Sequence, residues 1–267
     1  MSKLTRFLER SHVAARKRLW QFRHNCSPNA KAVFVLGAQR SGTTMLIRCL
    51  NESAELEVYG EASAAMKDWR LKDNETVAAV VRGSRSKAVV FKPLTESHRA
   101  RELLGIVPNA VVIWVYRRAA DRANSAVARF GSNNLEFLSA FVRGERLDSW
   151  QAQGLSESSL SLLRNYDFET MTPHSAAGLF WYIRNSLYFE QGLDNDARVL
   201  TLAYEDLVST PEKVMDAICQ FIDCTYDRRM TSSIHARSVG RSESHLDSDI
   251  EGMCEKMYVL LKERRGY

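Results

Sequence analysis

The sequence predicts an α/β chain of three layers: a central parallel sheet between two sets of helices, with a helical insertion late in the chain. Three observations carry this. Short runs of β-formers recur at Ala32–Leu36, Leu56–Tyr59, Ala88–Phe91, Ala110–Tyr116 and Val199–Tyr204. Helical stretches separate these runs, so neighbouring strands are joined by right-handed crossovers and run parallel. The run AVVIWVY at 110–116 is apolar almost throughout, as a strand covered on both faces must be.

Bulk composition narrows the class. The 267 residues suffice for one large domain with a well-buried core. Hydrophobic residues at 45% and charged residues at 26% are ordinary for a soluble globular protein. The net charge of +5 suits an anionic ligand and is too small to argue for nucleic acid. Cys26, Cys49, Cys219, Cys224 and Cys254 form no C-x-x-C pair and have no histidine cluster beside them. Neither a zinc site nor a disulfide framework is therefore expected, and a reducing, cytoplasmic setting fits. No apolar run reaches transmembrane length, and Arg6, Arg10, Arg16, Lys17 and Arg18 interrupt any signal-peptide core.

Taken in order, residues 1–26 read as a basic amphipathic helix, with Leu4, Phe7, Leu8, Leu19, Trp20 and Phe22 interleaved among cations. Two readings stay open for it: a membrane-surface or partner-binding helix, or an arm packed on its own domain, which Ala14 and Ala15 favour by weakening the apolar face. The body begins at residue 31. Its first strand runs into Gly37-Ala-Gln-Arg40-Ser41-Gly42-Thr43-Thr44, and Met45, Leu46, Ile47, Cys49 and Leu50 then suit a buried helix. This is the strand–loop–helix context of a phosphate cradle. Gly37 and Gly42 allow the tight turn that aims backbone N–H groups at one anion, and the helix starting near Thr43 adds its positive end. The spacing matches the nucleotide-triphosphate loop G-x-x-x-x-G-K-[ST], but Thr43 stands where that loop has its lysine. The change argues against ATP or GTP hydrolysis, and Arg40 supplies a planar fork of donors instead.

Arg117 follows the strand at 110–116, so it faces the ligand crevice of an open α/β sheet, and Ser125 lies two helical turns on. Taken alone, Arg117, Arg118 and Arg122 read as a solvated face paired to Asp121. Residues 130–195 lack strand signals. Leu135, Phe137, Leu138 and Phe141 suggest one helix, and Ala176–Gln191 another whose Phe180, Trp181 and Tyr182 read as core. Between them Gly154, a Ser-rich stretch and Pro173 suggest a mobile loop.

The loop at 37–44 resembles the 5′-phosphosulfate loop of the sulfotransferases that use 3′-phosphoadenosine-5′-phosphosulfate (PAPS), which often reads R-S-G-T-T as residues 40–44 do. Further segments fit in order over residues 32–267, nearest the bacterial and tyrosylprotein branches. The resemblance implies a basic N-terminal arm over 1–30, a sulfotransferase domain over 31–267 and an acceptor-binding insertion at about 130–195. It implies that Gly37, Arg40, Ser41, Gly42, Thr43 and Thr44 hold the 5′-phosphosulfate. Arg117 and Ser125 would hold the 3′-phosphate. Ser238 and Arg241, in Arg237-Ser-Val-Gly-Arg241, become further contacts. The segment Tyr204-Glu205-Asp206-Leu207 with the helix after Pro211 matches the family core, mainly in a structural role. A glutamate in the family's Gly-Glu context corresponds to Glu61, the general base; a lysine after the third strand corresponds to Lys92, the cation on the bridging oxygen. Where cytosolic small-molecule enzymes follow that lysine with Thr-His, this chain has Pro93 and Leu94, which favours Glu61 over a histidine base. The implied reaction moves a sulfuryl group from PAPS to a hydroxyl or amine of a small-molecule, glycan, lipid-linked or peptide acceptor, leaves PAP, and needs no metal. A P-loop kinase-like enzyme and a non-catalytic docking module are the alternatives. Peripheral membrane contact through residues 1–24 and a homodimer stay open.

Overall fold

The computed structural model describes residues 3–24, 30–60, 63, 65–234 and 243–267, with side chains in the first helix from residue 11 onward. The strands are β1 (Lys31–Gly37), β2 (Leu56–Tyr59), β3 (Met66–Lys67), β4 (Arg70–Leu71), β5 (Ala88–Phe91), β6 (Val111–Tyr116) and β7 (Val199–Ala203). The helices are α1 (Lys3–Arg23), α2 (Thr43–Asn51), α3 (Asn74–Gly83), α4 (Ala100–Leu103), α5 (Ala119–Phe130), α6 (Asn133–Val142), α7 (Glu157–Leu163), α8 (Pro173–Glu190), α9 (Tyr204–Ser209), α10 (Pro211–Phe221) and α11 (Ser248–Glu263). Five strands form one sheet in the order β2-β5-β1-β6-β7, and every pairing in it is parallel. Every crossover therefore returns the chain to the same edge, and β1 lies where the winding reverses from the β5 side to the β6 side.

Strand periodicity divides the core into two layers. On β6, Val112, Trp114 and Tyr116 pack into one cluster, while Val111, Ile113 and Val115 pack into the other; β1 alternates the same way through Phe34 and Leu36 against Val33 and Val35. Helices α3, α8 and α11 cover the first face with Val77 and Val81, Leu179 and Trp181, and Ile250 and Leu261. Helices α2 and α10 cover the second with Leu46 and Leu50, and Val214 and Ile218.

The five expected strands occur within a residue of their expected bounds; Tyr204 opens α9 instead of closing β7. The expected mobile loop between α6 and α8 is corrected. Its Ser-rich stretch is α7, whose N-cap Ser156 accepts from the Ser159 N–H at 3.2 Å, and Pro173 opens α8 behind the Thr172 cap. A hairpin that the sequence concealed joins β3 to β4. Its central residues, Asp68 and Trp69, both adopt positive φ, 51° and 67°, the left-handed pair that a type I′ turn requires and that Asn-Gly would have announced.

The chain's last residues brace the sheet. Tyr267 Oη donates to Asp206 Oδ2 at 2.9 Å and accepts from Ala203 N–H at 3.1 Å, Arg265 pairs with Asp206, and Thr201 Oγ1 donates to Arg264 O at 2.8 Å.

One buried polar pair locks α8 onto the sheet: Trp114 Nε1 donates to Asn185 Oδ1 at 3.1 Å, with both residues inaccessible. Asn185→Leu leaves that indole N–H without an acceptor, so we expect a loss of about 1–3 kcal/mol in urea denaturation.

Candidate active site

Because the sheet is parallel, the residues that follow β1, β5, β6 and β7 emerge at one edge. They are the loop residues Gln39, Arg40 and Gly42, then Lys92, Arg117 and Tyr204, and together with Ser125 they line a cleft of about 270 Å³. Lys92 Nζ donates to Thr44 Oγ1 at 2.9 Å. Arg40 Nε donates to Ser125 Oγ at 3.1 Å. The Arg117 guanidinium lies over the Tyr204 ring, 4.5 Å from its centroid. The loop, the β5 lysine and the β6–α5 segment, far apart in sequence, thus converge. Three cations line the cleft, and among the described residues no carboxylate or histidine does. Such a wall is built for an anion.

The loop keeps its shape through left-handed backbone at Gly37 (φ 126°), Arg40 (φ 69°) and Gly42 (φ 93°). At Gly37 a Cβ would lie 2.2 Å from Val115 O, so close passage over β6 demands glycine. At Gly42 a Cβ would lie 2.2 Å from Tyr204 Cδ2. Arg40 lacks this freedom and holds its conformation at a cost of about 1–2 kcal/mol. Helix α2 begins at Thr43, as expected, with Gly42 as its N-cap.

Of the loop residues expected at the site, Arg40, Gly42, Thr43 and Thr44 line the cleft. Gly37 and Ser41 are outside that lining. The Gly37 N–H donates to Ser97 Oγ at 3.1 Å, and Ser41 is fully buried. Glu61, Ser238 and Arg241 lie outside the described residues. The register pairs Tyr59 with Phe91, and Lys92 N–H donates to Tyr59 O at 3.2 Å. Strand β2 therefore delivers the chain to the edge that carries Lys92, two residues before Glu61 in sequence.

Arg122 overturns the solvated-face reading of residues 117–122. Its side chain is wholly buried. Nε donates to Gln39 O at 3.0 Å, and Nη1 to Ala177 O at 2.9 Å and Asn134 Oδ1 at 3.1 Å. The guanidinium faces the Phe180 ring at 5.3 Å. Burial, then the like charge of Arg40, lowers its pKa to about 9, so it remains a cation at neutral pH. It ties the phosphate-type loop to α6 and α8. An arginine on a helix reads as exposed in sequence, and only a backbone trace could reveal that Gln39 and Ala177 offer it carbonyls. Asp121, its supposed partner, is buried as well and makes no ion pair among the described residues.

Two residues expected to be structural act as supports. Glu205 Oε1 accepts from Arg118 N–H at 3.0 Å, satisfying an orphan donor at the start of α5, the helix that carries Ser125. Burial pushes its carboxyl pKa up, and the Arg118 amide pulls against that shift. Tyr204 is wedged between Gly42 and Arg117.

The family model for the sulfotransferase domain matches residues 30–245, and the chain belongs to that family. No curated protein matches it. Among solved structures, the sulfotransferase domain from the curacin biosynthetic pathway superposes with a TM-score of 0.54 at 13% identity, over 89% of this chain and 99% of that one. A sulfotransferase from Alicyclobacillus acidocaldarius gives 0.48 at 16% identity, over 90% and 94%. A mouse sulfotransferase complexed with PAP gives 0.41 at 14% identity, over 79% and 64%.

His98 turns away from this chemistry. It lies in the 3-10 turn Leu94–Arg99, where a Cβ on Gly154 would approach its own Cβ at 2.5 Å. Burial, reinforced by Arg184, Arg99 and Arg70, lowers its pKa from 6.5 to about 4. Between those values the unfolded chain binds a proton that the folded chain refuses, so stability falls as pH drops through that window. His98→Gln should flatten the slope, recovering about 2 kcal/mol between neutral and acid conditions in urea titrations.

Proposed function

We propose that the protein transfers a sulfuryl group from PAPS to a hydroxyl or amine acceptor. The observation that carries this reading is the convergence of Arg40, Lys92 and Arg117 on one cleft, with Thr43 at the position where triphosphate-hydrolysing loops need lysine. Arg40, Thr43, Thr44 and the backbone around Gly42 take the 5′-phosphosulfate at the α2 N-terminus. Arg117 and Ser125 take the 3′-phosphate. The direct Arg40–Ser125 hydrogen bond supports this division, because it gives the two groups of donors one shared boundary.

In the reaction the acceptor oxygen or nitrogen attacks sulfur in line. The bond from sulfur to the bridging oxygen breaks, and PAP departs with that electron pair. The acceptor proton passes to the Glu61 carboxylate. Charge growing on the bridging oxygen meets the Lys92 ammonium, an interaction strongest in the transition state. Lys92 is almost fully buried, which raises the value of such a charge relative to one in water.

Calorimetry with PAP, set against ATP with Mg²⁺, tests the donor. We expect binding of PAP alone, weakened about 10–100-fold by Arg117→Ala through loss of a charged hydrogen-bonding group. Tight ATP–Mg²⁺ binding with none of PAP would replace this reading with a nucleotide kinase. For the chemical step, Glu61→Ala and Lys92→Met should each lower turnover of PAPS at least about 100-fold while leaving PAP affinity within a few-fold. Unchanged turnover in Glu61→Ala would remove that residue from the role of base.

A further inference from the structure

We propose that helix α1 docks this protein on the surface of an anionic lipid bilayer, through the face formed by Ala14, Ala15, Arg18, Leu19 and Phe22. The helix is attached to the body with its polar side inward. Arg16 Nη2 pairs with Glu52 Oε2 at 2.8 Å and also reaches Glu52 O at 3.2 Å. Lys17 Nζ donates to Asn51 Oδ1 at 2.8 Å, and Gln21 Nε2 to Ser86 Oγ at 3.3 Å. Ordinary surface helices do the opposite and bury their apolar stripe. Here the far side carries it: Leu19 is 51% exposed and Phe22 85%. With Ser11, Ala14, Ala15 and Arg18 they line one shallow surface, at the 3- and 4-residue steps that align side chains on a helix.

Charge selects the occupant. Helix α1 holds seven basic residues against the single acid Glu9, more than the whole chain's excess of +5. A second copy of the chain would set two such cationic helices face to face, and like charges oppose that pairing. A nucleic acid would meet the cations but leave Leu19 and Phe22 in water. An anionic bilayer accommodates both: the apolar side chains enter the acyl boundary while Arg18 and Arg23 stay among the headgroups. Polar anchoring of the inner face keeps Arg16 and Lys17 on the body and the outer face free for the membrane. No helix among the described residues is long and apolar enough to cross one, so the contact lies along the surface.

The test uses the full chain with sedimented vesicles of phosphatidylcholine alone or mixed with phosphatidylglycerol, at low salt and at about 0.5 M salt. We expect binding to the mixed vesicles only, weakened by salt. The double variant Leu19→Asp/Phe22→Asp should lower it at least about tenfold with little change in melting temperature, because Phe22 lies largely in water in the free protein and Leu19 is half exposed. Arg18→Glu alone should reproduce part of the loss and serves if the double variant melts early. Equal binding to both vesicle types, absence of binding, or a double variant that binds like the parent would overturn the proposal. So would light scattering that shows a dimer dispersed by the same double variant, since a second copy would then own this face.

Discussion

The approach of the Tyr204 ring to Gly42 is the contact on which the cleft depends. It brings the end of β7 against the loop after β1, although β6 stands between those strands. The ring also faces the Arg117 guanidinium, from the end of β6. A side chain at position 42 would displace the Tyr204 ring, and with it the Arg117 guanidinium that the ring faces in the cleft. The glycine is needed here for proximity as much as for its backbone angle.

A second layer of support lies behind the cleft. Arg122 ties Gln39 of the loop to Asn134 and Ala177 on the late helices, so the anion-facing turn and the helical region at 133–190 are fastened by one side chain. Its positive charge has no carboxylate among the groups that shift it. A buried cation without a counter-charge is costly in isolation. Beneath a wall of three further cations it adds to a field that favours bound anions, and neutral carbonyl oxygens of Gln39, Ala177 and the Asn134 amide rather than acids solvate it, so the field is not cancelled. Glu205 works similarly through the backbone, fixing the start of α5 without presenting its charge to the cleft.

The sheet was legible in the sequence because its inner strands are covered on both faces and hence almost continuously apolar, as AVVIWVY shows. The loop was legible because two glycines at fixed spacing sit between a strand and a helix. What escaped detection shares a cause: each feature depends on partners distant in sequence or on unexpected backbone angles. The hairpin at 66–71 turns on Asp68 and Trp69, and a bulky tryptophan rarely takes positive φ. The Ser-rich stretch looked like a loop because serine disfavours helix interiors, yet Ser156 at its head is a good cap. Arg122 looked solvated because arginine usually is. The roles expected of Glu61, Ser238 and Arg241 rested on family resemblance alone, since no periodicity in the sequence singles those positions out.

The brace formed by Tyr267 reaches the wall of the cleft. Tyr267 holds both Ala203 N–H and the Asp206 carboxylate, the residues flanking Tyr204 and Glu205. The phenol of the final residue is thus a strut under the aromatic wedge. Loss of that hydroxyl would release the backbone on either side of the ring, so a change far from the cleft would reach its wall.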